Sequence, residues 1–533
     1  MEKTRFGMTR SRGAILAPFV ATFLAASSAH AEPEVGAATL TQATLDAGAP
    51  DPNALPTAPP GPPGTLQTPP TTEPASTGPG ADKPYNLSGP KIDSTPPSML
   101  PAQSGDATVP AQQAALNPKD EELKKFKSRY EPLRVKGWNV NFPLPDNTMT
   151  GDNGFRQALA DHHLGFYAYG IAFAGVNMLD VARSGPNGAQ LYNGQKFTTR
   201  TTPNITLNYD LSWLGLENAQ LSASGVYVTT TWDPAGPNMI SMSHLTYYQT
   251  FFHKTAELKF GYLTNNFEFY GPYVGGNLAS ALFGQSASVL TAMGLSHTVA
   301  PRPGANLQLN AGNFYEKSGI QYSSSPDGFS QQQDENPTGF DWKVKNAHVL
   351  FIQEVGYKTA PTKTTRSNWA RFGYIRNTSD FVDYQFGGRS TKNYAFYGMA
   401  DYQWIKFQNR GSEAAGLYLG YSAHLGLDRY SRIAQTYEGR LYTQGLIPGR
   451  PGDMASMIVD YNAFSVYAIE AAKKAGQSTV PANWVATWAY NAGIVPGLTA
   501  GLAISYSDHP AAVINPPGTG HALQLLTSFT YYL

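Results

Sequence analysis

Asn204-Ile205-Thr206-Leu207-Asn208-Tyr209-Asp210-Leu211-Ser212-Trp213 alternates without a break. Successive side chains of an extended chain point to opposite sides, so Ile205, Leu207, Tyr209, Leu211 and Trp213 share one face and the polar residues between them share the other. A strand of a soluble sandwich alternates too. What distinguishes this one is the end of its apolar face, where Tyr209 and Trp213 stand as in the aromatic girdle of a lipid-facing strand.

The period recurs. In Ala256 to Tyr262, Ala256, Leu258, Phe260 and Tyr262 alternate with Glu257, Lys259 and Gly261, which puts Glu257 and Lys259 together on the face expected to line a lumen. In Tyr167 to Phe173 the large Tyr167, Tyr169, Ile171 and Phe173 alternate with Ala168, Gly170 and Ala172. There the small face is expected to look inward and leave space. The chain ends with Leu523, Leu525, Thr527, Phe529, Tyr531 and Leu533 on one face and Gln524, Leu526, Ser528, Thr530 and Tyr532 on the other. Such an aromatic-rich last strand is typical of outer-membrane barrels, with Leu533 here where Phe is usual.

No run of 18 or more apolar residues occurs anywhere, so no spanning helix is available. Only helices and closed barrels satisfy every backbone donor and acceptor in lipid, which makes membrane residence conditional on a closed barrel. About 415 residues follow the Pro-rich part of the chain, and a strand with its share of turns uses roughly 25, giving about 16 strands around an aqueous lumen. The expected fold class is all-β: a transmembrane antiparallel up-and-down β-barrel preceded by a disordered Pro-rich segment.

Four regions are expected. Residues 1–31 read as a signal peptide, with Lys3, Arg5, Arg10 and Arg12 ahead of an apolar stretch from Ala14 to Ala26 and a small-x-small site at Ala29-His30-Ala31. Residues 32–118 hold nearly half of the 40 prolines and a single aromatic, Tyr85. They are too poor in apolar surface to offset ordering entropy, and read as a disordered or polyproline II periplasmic spacer. Residues 119–164 read as a short helical lead-in, with one helix at Lys119 to Arg129 and a second from Gly154. Residues 165–533 are the barrel.

Thirty-eight acidic and 38 basic residues give zero net charge, which removes the electrostatic case for nucleic acid. The absence of cysteine in all 533 residues excludes disulfides, thiolate metal sites and a thiol nucleophile. Gly420-Tyr421-Ser422-Ala423-His424 lacks the last glycine of a nucleophile elbow and lies in an alternating strand. Asp161-His162-His163 has no further ligand at metal spacing. No catalytic residue, metal or cofactor is expected. What remains is a lumen, in which Trp404 and Trp488 are candidates to stack on sugar rings, with carboxylates and arginines binding hydroxyls.

The order of motifs resembles the carbohydrate-selective porins of the OprB type. The resemblance is carried by Asn208-Tyr209-Asp210-Leu211-Ser212-Trp213-Leu214-Gly215-Leu216, by Leu258-Lys259-Phe260-Gly261-Tyr262, by Phe351-Ile352-Gln353-Glu354-Val355-Gly356-Tyr357, and above all by Gly445-Leu446-Ile447-Pro448-Gly449-Arg450-Pro451-Gly452-Asp453. It spans about residues 130–533 and implies passive, substrate-preferring diffusion of carbohydrates across the bacterial outer membrane. Asn483 to Tyr490, which matches a strand where the family carries glutamates, has none. The residues expected at the pore are Arg450, Asp453, Glu354, Trp488, Glu257 and Lys259. For Arg450 and Asp453 the alternative is a tight turn pinned by a local ion pair, and for Glu354 a salt bridge stiffening the wall. The expected partners are sugars or other small polar solutes and outer-membrane lipid. A peptidoglycan or periplasmic partner for residues 32–118, and homo-oligomerisation, stay open. The alternative functions are a general small-solute porin and an anchor tethering the membrane to peptidoglycan.

Overall fold

The computed structural model describes residues 118–139, 142–179, 190, 192–232, 238–269, 288–510 and 520–533. The expected signal peptide and nearly all of the expected Pro-rich spacer lie outside the described residues. Helix α1 (Pro118–Tyr130) opens the described chain with proline in its first turn and Lys127 and Arg129 in its last, the charge placement that its dipole favours. Its first residues, 118–125, belong to a second compact unit, 57–125. Helix α2 (Gly154–Asp161) is capped by the Asn153 side chain, which accepts from the Arg156 N–H.

The strands follow as β1 (Leu164–Asn177), β2 (Thr198–Asp210), β3 (Gln220–Thr230), β4 (Met239–Phe251), β5 (Ala256–Leu263), β6 (Arg302–Ala311), β7 (Phe314–Tyr322), β8 (Val349–Thr359) and β9 (Asn368–Asn377). The two-residue β10 (Phe381–Val382) and β11 (Arg389–Ser390) form a separate ribbon. The barrel resumes with β12 (Asn393–Lys406), β13 (Gly416–Gly426), β14 (Ile433–Gln444), β15 (Met454–Phe464), β16 (Ala482–Val495), β17 (Leu498–Asp508) and β18 (His521–Tyr532). Each barrel strand pairs antiparallel with its neighbours, and β1 closes on β18 from Tyr169 opposite Tyr532 to Asn177 opposite Gln524. The result is a closed sixteen-stranded barrel without an edge. Among the described residues no helix is long and apolar enough to cross a membrane.

Its polarity is inverted relative to a soluble protein. Asn204 and Thr206 are 4% and 0% exposed while Ile205, between them in the strand, is 55% exposed. Phe260, Leu307, Phe351, Phe372, Leu419, Val459 and Phe529 likewise face outward, as lipid contact requires. Connections at the end that holds Leu533 are short (252–255, 312–313, 496–497), whereas several at the other end are long (178–197, 264–301, 323–348, 465–481). Short turns mark the periplasmic side and long loops the outside.

Two expectations need correction. Alternation in the opening stretch stops at Asp210: Ser212–Leu214 is a single 3-10 turn, Leu211 is buried, and Trp213 reaches the surface from that turn, stacked on the His163 ring at 5.4 Å. In β1 it is the large face that turns inward. Tyr167 and Phe173 are buried, and Tyr167 lies opposite the inward Thr206. The space a small face would have left is instead filled by the lead-in, which does not stay outside the barrel.

Candidate solute pathway

Between α1 and α2 the chain enters the periplasmic half of the lumen. On the way in, the Asn208 amide donates to the Leu133 carbonyl at 2.9 Å, the Gln220 amide to the Arg134 carbonyl at 2.7 Å, and the Lys259 ammonium to the Lys136 carbonyl at 3.1 Å. Gly137 has φ +78, and a Cβ there would lie 3.0 Å from the Lys259 side chain. Glycine is thus required both for the turn and for the approach. Trp138 stacks on Phe267 at 4.7 Å and meets His244 edge-on at 5.1 Å. On the way out, Phe142 packs against Tyr167 and Tyr169, and the Met149 N–H donates to the Tyr532 carbonyl. Burial pushes the Lys136 ammonium pKa down, against the opposing pull of Asp210 3.8 Å away.

The described parts of the connection after β5, 264–269 and 288–301, also turn inward. Phe269, Val289, Leu290, Met293 and Leu295 pack on Leu350, Ile352, Ile375 and Tyr397 of the inner wall. Its polar anchor is Glu268, whose carboxylate is held by the Lys259 ammonium at 2.9 Å and the Asn306 amide at 2.6 Å, with Lys259 and Glu268 both nearly inaccessible. Hence Lys259, expected at the pore, holds both inserted segments. Glu257 accepts from the Tyr248 hydroxyl at 2.7 Å and the Asn310 amide at 2.7 Å on the same inner face.

On β7–β9, Glu354 faces inward as expected and accepts from the Tyr315 and Tyr397 hydroxyls, both at 2.7 Å. Arg371 lies over the Trp369 ring at 3.6 Å and Lys358 over the same ring at 4.3 Å. Further round, the Arg440 guanidinium bridges both oxygens of Asp401, at 3.2 and 3.1 Å, and donates to Ser422 at 2.6 Å and to Glu438. Tyr418 and Tyr442 stack beside it at 4.8 Å, and Asp460 lies opposite Glu438 in register.

The remaining expected residues lie elsewhere. Trp488 is 47% exposed and paired in register with Met457 and Ile504, so it belongs to the lipid face; Trp404 is also outward. The apolar partners across two strands fix that orientation, which single-strand reading had left open. Arg450 and Asp453 form an ion pair in the periplasmic turn 445–453, where Asp453 also accepts from the Tyr490 hydroxyl and from the Gly493 N–H at 2.9 Å. That is the tight-turn alternative. Burial works to raise the Asp453 pKa, but these partners outweigh it and hold it below the usual range. Sequence reading missed Asp401, Arg440, Glu438, Trp369 and Arg371. The alternation Trp369, Arg371, Gly373, Ile375, Asn377 against Ala370, Phe372, Tyr374 was there to find the last two.

The model of the carbohydrate-selective porin OprB family matches residues 222–492. A high-pH structure of Pseudomonas putida OprB superposes with TM-score 0.59 at 15% identity, covering 73% of this chain and 98% of that one. A low-pH structure of the same protein gives TM-score 0.45 at 14% identity, covering 74% and 100%. No curated protein matches in a sequence search.

Proposed function

The chain belongs to the carbohydrate-selective porin family of the OprB type, and on that premise we propose how its barrel handles solute. It is an outer-membrane porin, a β-barrel channel for carbohydrates. Transport is diffusion down the solute gradient, with no covalent step. Hydroxyl-rich solutes form charge-assisted hydrogen bonds along an inner wall of Asp401, Arg440, Glu438, Glu354 and Glu257, displacing the present partners of the first four, which are nearly inaccessible, while Lys259 holds the inserted segments. Arg450, Asp453 and Trp488 are not part of it.

The observation that carries this reading is the mixed-charge belt on the inner face, behind an outer face that is apolar in register with it. Liposome swelling with a panel of mono- and disaccharides and amino acids of similar size tests it. Sugars are expected to enter faster. Equal rates would make the protein a general small-solute porin, and no swelling with folded protein would remove the channel altogether.

Residues 1–31 are read as a signal peptide removed after Ala31, and 32–118 as a periplasmic spacer. Its Pro-rich composition favours a second role as a tether to peptidoglycan. Pull-down with peptidoglycan, with and without residues 32–118, decides this: equal recovery of both forms would reject the tether.

A further inference from the structure

We propose that residues 130–139 and 142–147 are an internal strap that sets the channel's permeability, with Trp138 as its latch. This rests on the channel reading above and adds a determinant of flux that lies outside the barrel strands.

The described parts of the strap, 130–139 and 142–147, form an inbound and an outbound leg. Its inbound leg is held by Asn208, Gln220 and Lys259, near the periplasmic ends of β2, β3 and β5. The deepest described part is Trp138 and Asn139, where the Asn139 N–H donates to the Phe267 carbonyl at 2.9 Å and its side-chain amide to the Glu268 carbonyl at 2.8 Å. There the strap meets the inturned stretch 264–269, so the two inserted segments support each other within the lumen. The outbound leg leaves along Tyr167, Tyr169 and Tyr532. Wall and strap are shaped for each other. A Cβ on Gly165 of β1 would lie 2.5 Å from the Leu133 carbonyl oxygen, and one on Gly137 of the strap 3.1 Å from Tyr248.

The contacts differ in kind along the strap. The legs are held by backbone carbonyls that take hydrogen bonds from the wall. At the apex Trp138 sits against Phe267, His244 and the Lys259 ammonium, 5.5 Å from its ring centre, beside the two hydrogen bonds of Asn139. Trp138 thereby joins the strap to the wall and to the stretch 264–269 at once, so its side chain is the contact whose loss frees the apex while the legs stay fixed. A barrel of this strand number encloses an aqueous channel, and the strap, seated against β18 and β1–β5, narrows it on that side.

Single-channel recording on the full-length protein in planar bilayers tests this. The chain has no cysteine, so Asn139→Cys introduces a unique thiol. A cationic methanethiosulfonate reagent added on the periplasmic side is expected to lower its current stepwise, while unmodified wild type does not respond. Trp138→Ala is expected to raise conductance, or to add transitions to a state of higher conductance. An unchanged current after confirmed labelling of the cysteine variant overturns the strap's place in the path. Unchanged Trp138→Ala traces overturn the latch. Should Trp138→Ala fail to fold, the cysteine arm decides alone. Wild-type protein that passes no current would instead reject the channel reading, so the two failures are distinguishable.

Discussion

Two sectors of the inner wall find hydrogen-bond partners for their inward side chains in opposite ways. Along β2–β5 the wall side chains end on other parts of the chain: Asn208 and Gln220 on strap carbonyls, and Lys259 on the strap and on Glu268 of the inturned connection. Along β12–β15 they end on one another, with Arg440 held between Asp401, Glu438 and Ser422. The first arrangement uses wall chemistry to fix inserted segments. The second is made by wall side chains alone, and Asp401, Glu438 and Arg440 are as little exposed as Lys259 and Glu268, so solute reaches them only by displacing those partners. Position in the ring of strands, rather than residue type, therefore decides whether a charge holds inserted chain or a neighbouring strand.

Deleting a wall cation in each sector is the sharpest way to break this contrast. Lys259→Ala leaves Glu268 buried and uncompensated, and loss of about 3–5 kcal/mol of stability is expected. It should be read as an earlier denaturant midpoint for the barrel in detergent, with Lys259→Met/Glu268→Met recovering most of the loss. In the other sector Arg440→Gln uncovers Asp401 and Glu438. There the expected change is about a threefold shift of the permeability ratio towards cations, the size of one unit charge acting through water at 8 Å, and it fades as salt is raised. Reversal potentials in a salt gradient measure it. If Lys259→Ala moved the ratio as far as Arg440→Gln with no stability change, the division between sectors would collapse.

A smaller effect is expected at Gly165, whose missing Cβ lets Leu133 lie against β1. Gly165→Val forces strap and wall apart at a cost of about 1–3 kcal/mol, and Gly439→Val, at a position with nothing within 4 Å of an added Cβ, serves as the comparison in β14. Thermal unfolding followed by heat-modifiable gel mobility separates the two. Equal shifts would mean that the contact with the strap contributes nothing.

The barrel itself was legible because period two, aromatic strand ends and the lack of spanning helices all follow from local sequence. The register of Glu354, Glu257 and Lys259 was legible for the same reason: each strand carries its own two faces. What could not be read were contacts between segments far apart in the chain. The strap touches β2, β3 and β5 through its own backbone carbonyls, which have no side-chain signature, and its presence inverted the expected face of β1. Trp488 failed for a related reason, since an aromatic in a strand fits either the lipid face or the lumen until its neighbours Met457 and Ile504 are known. Arg440 and Asp401 lie on different strands, and no spacing within either joins them.

The smallest effect is expected at a site outside both sectors, the turn 445–453. Asp453 has its pKa held below the usual carboxylate range by Arg450, the Tyr490 hydroxyl and the Gly493 N–H, against the opposing effect of burial. A carboxylate whose folded pKa is depressed contributes stability above its unfolded pKa, near 3.9, and loses that contribution as pH falls through the folded value. The turn is therefore fully pinned at neutral pH and loosens only below about pH 4. Asp453→Asn removes the charge at every pH, and because the pair is solvent-screened the loss is expected to stay below about 1 kcal/mol. Unfolding midpoints of variant and wild type should differ at pH 7 and converge towards pH 3. Single-channel conductance and sugar selectivity should not change at either pH. A changed selectivity in Asp453→Asn would return this turn to the solute path and show that the periplasmic mouth, as well as the β12–β15 wall, discriminates between solutes.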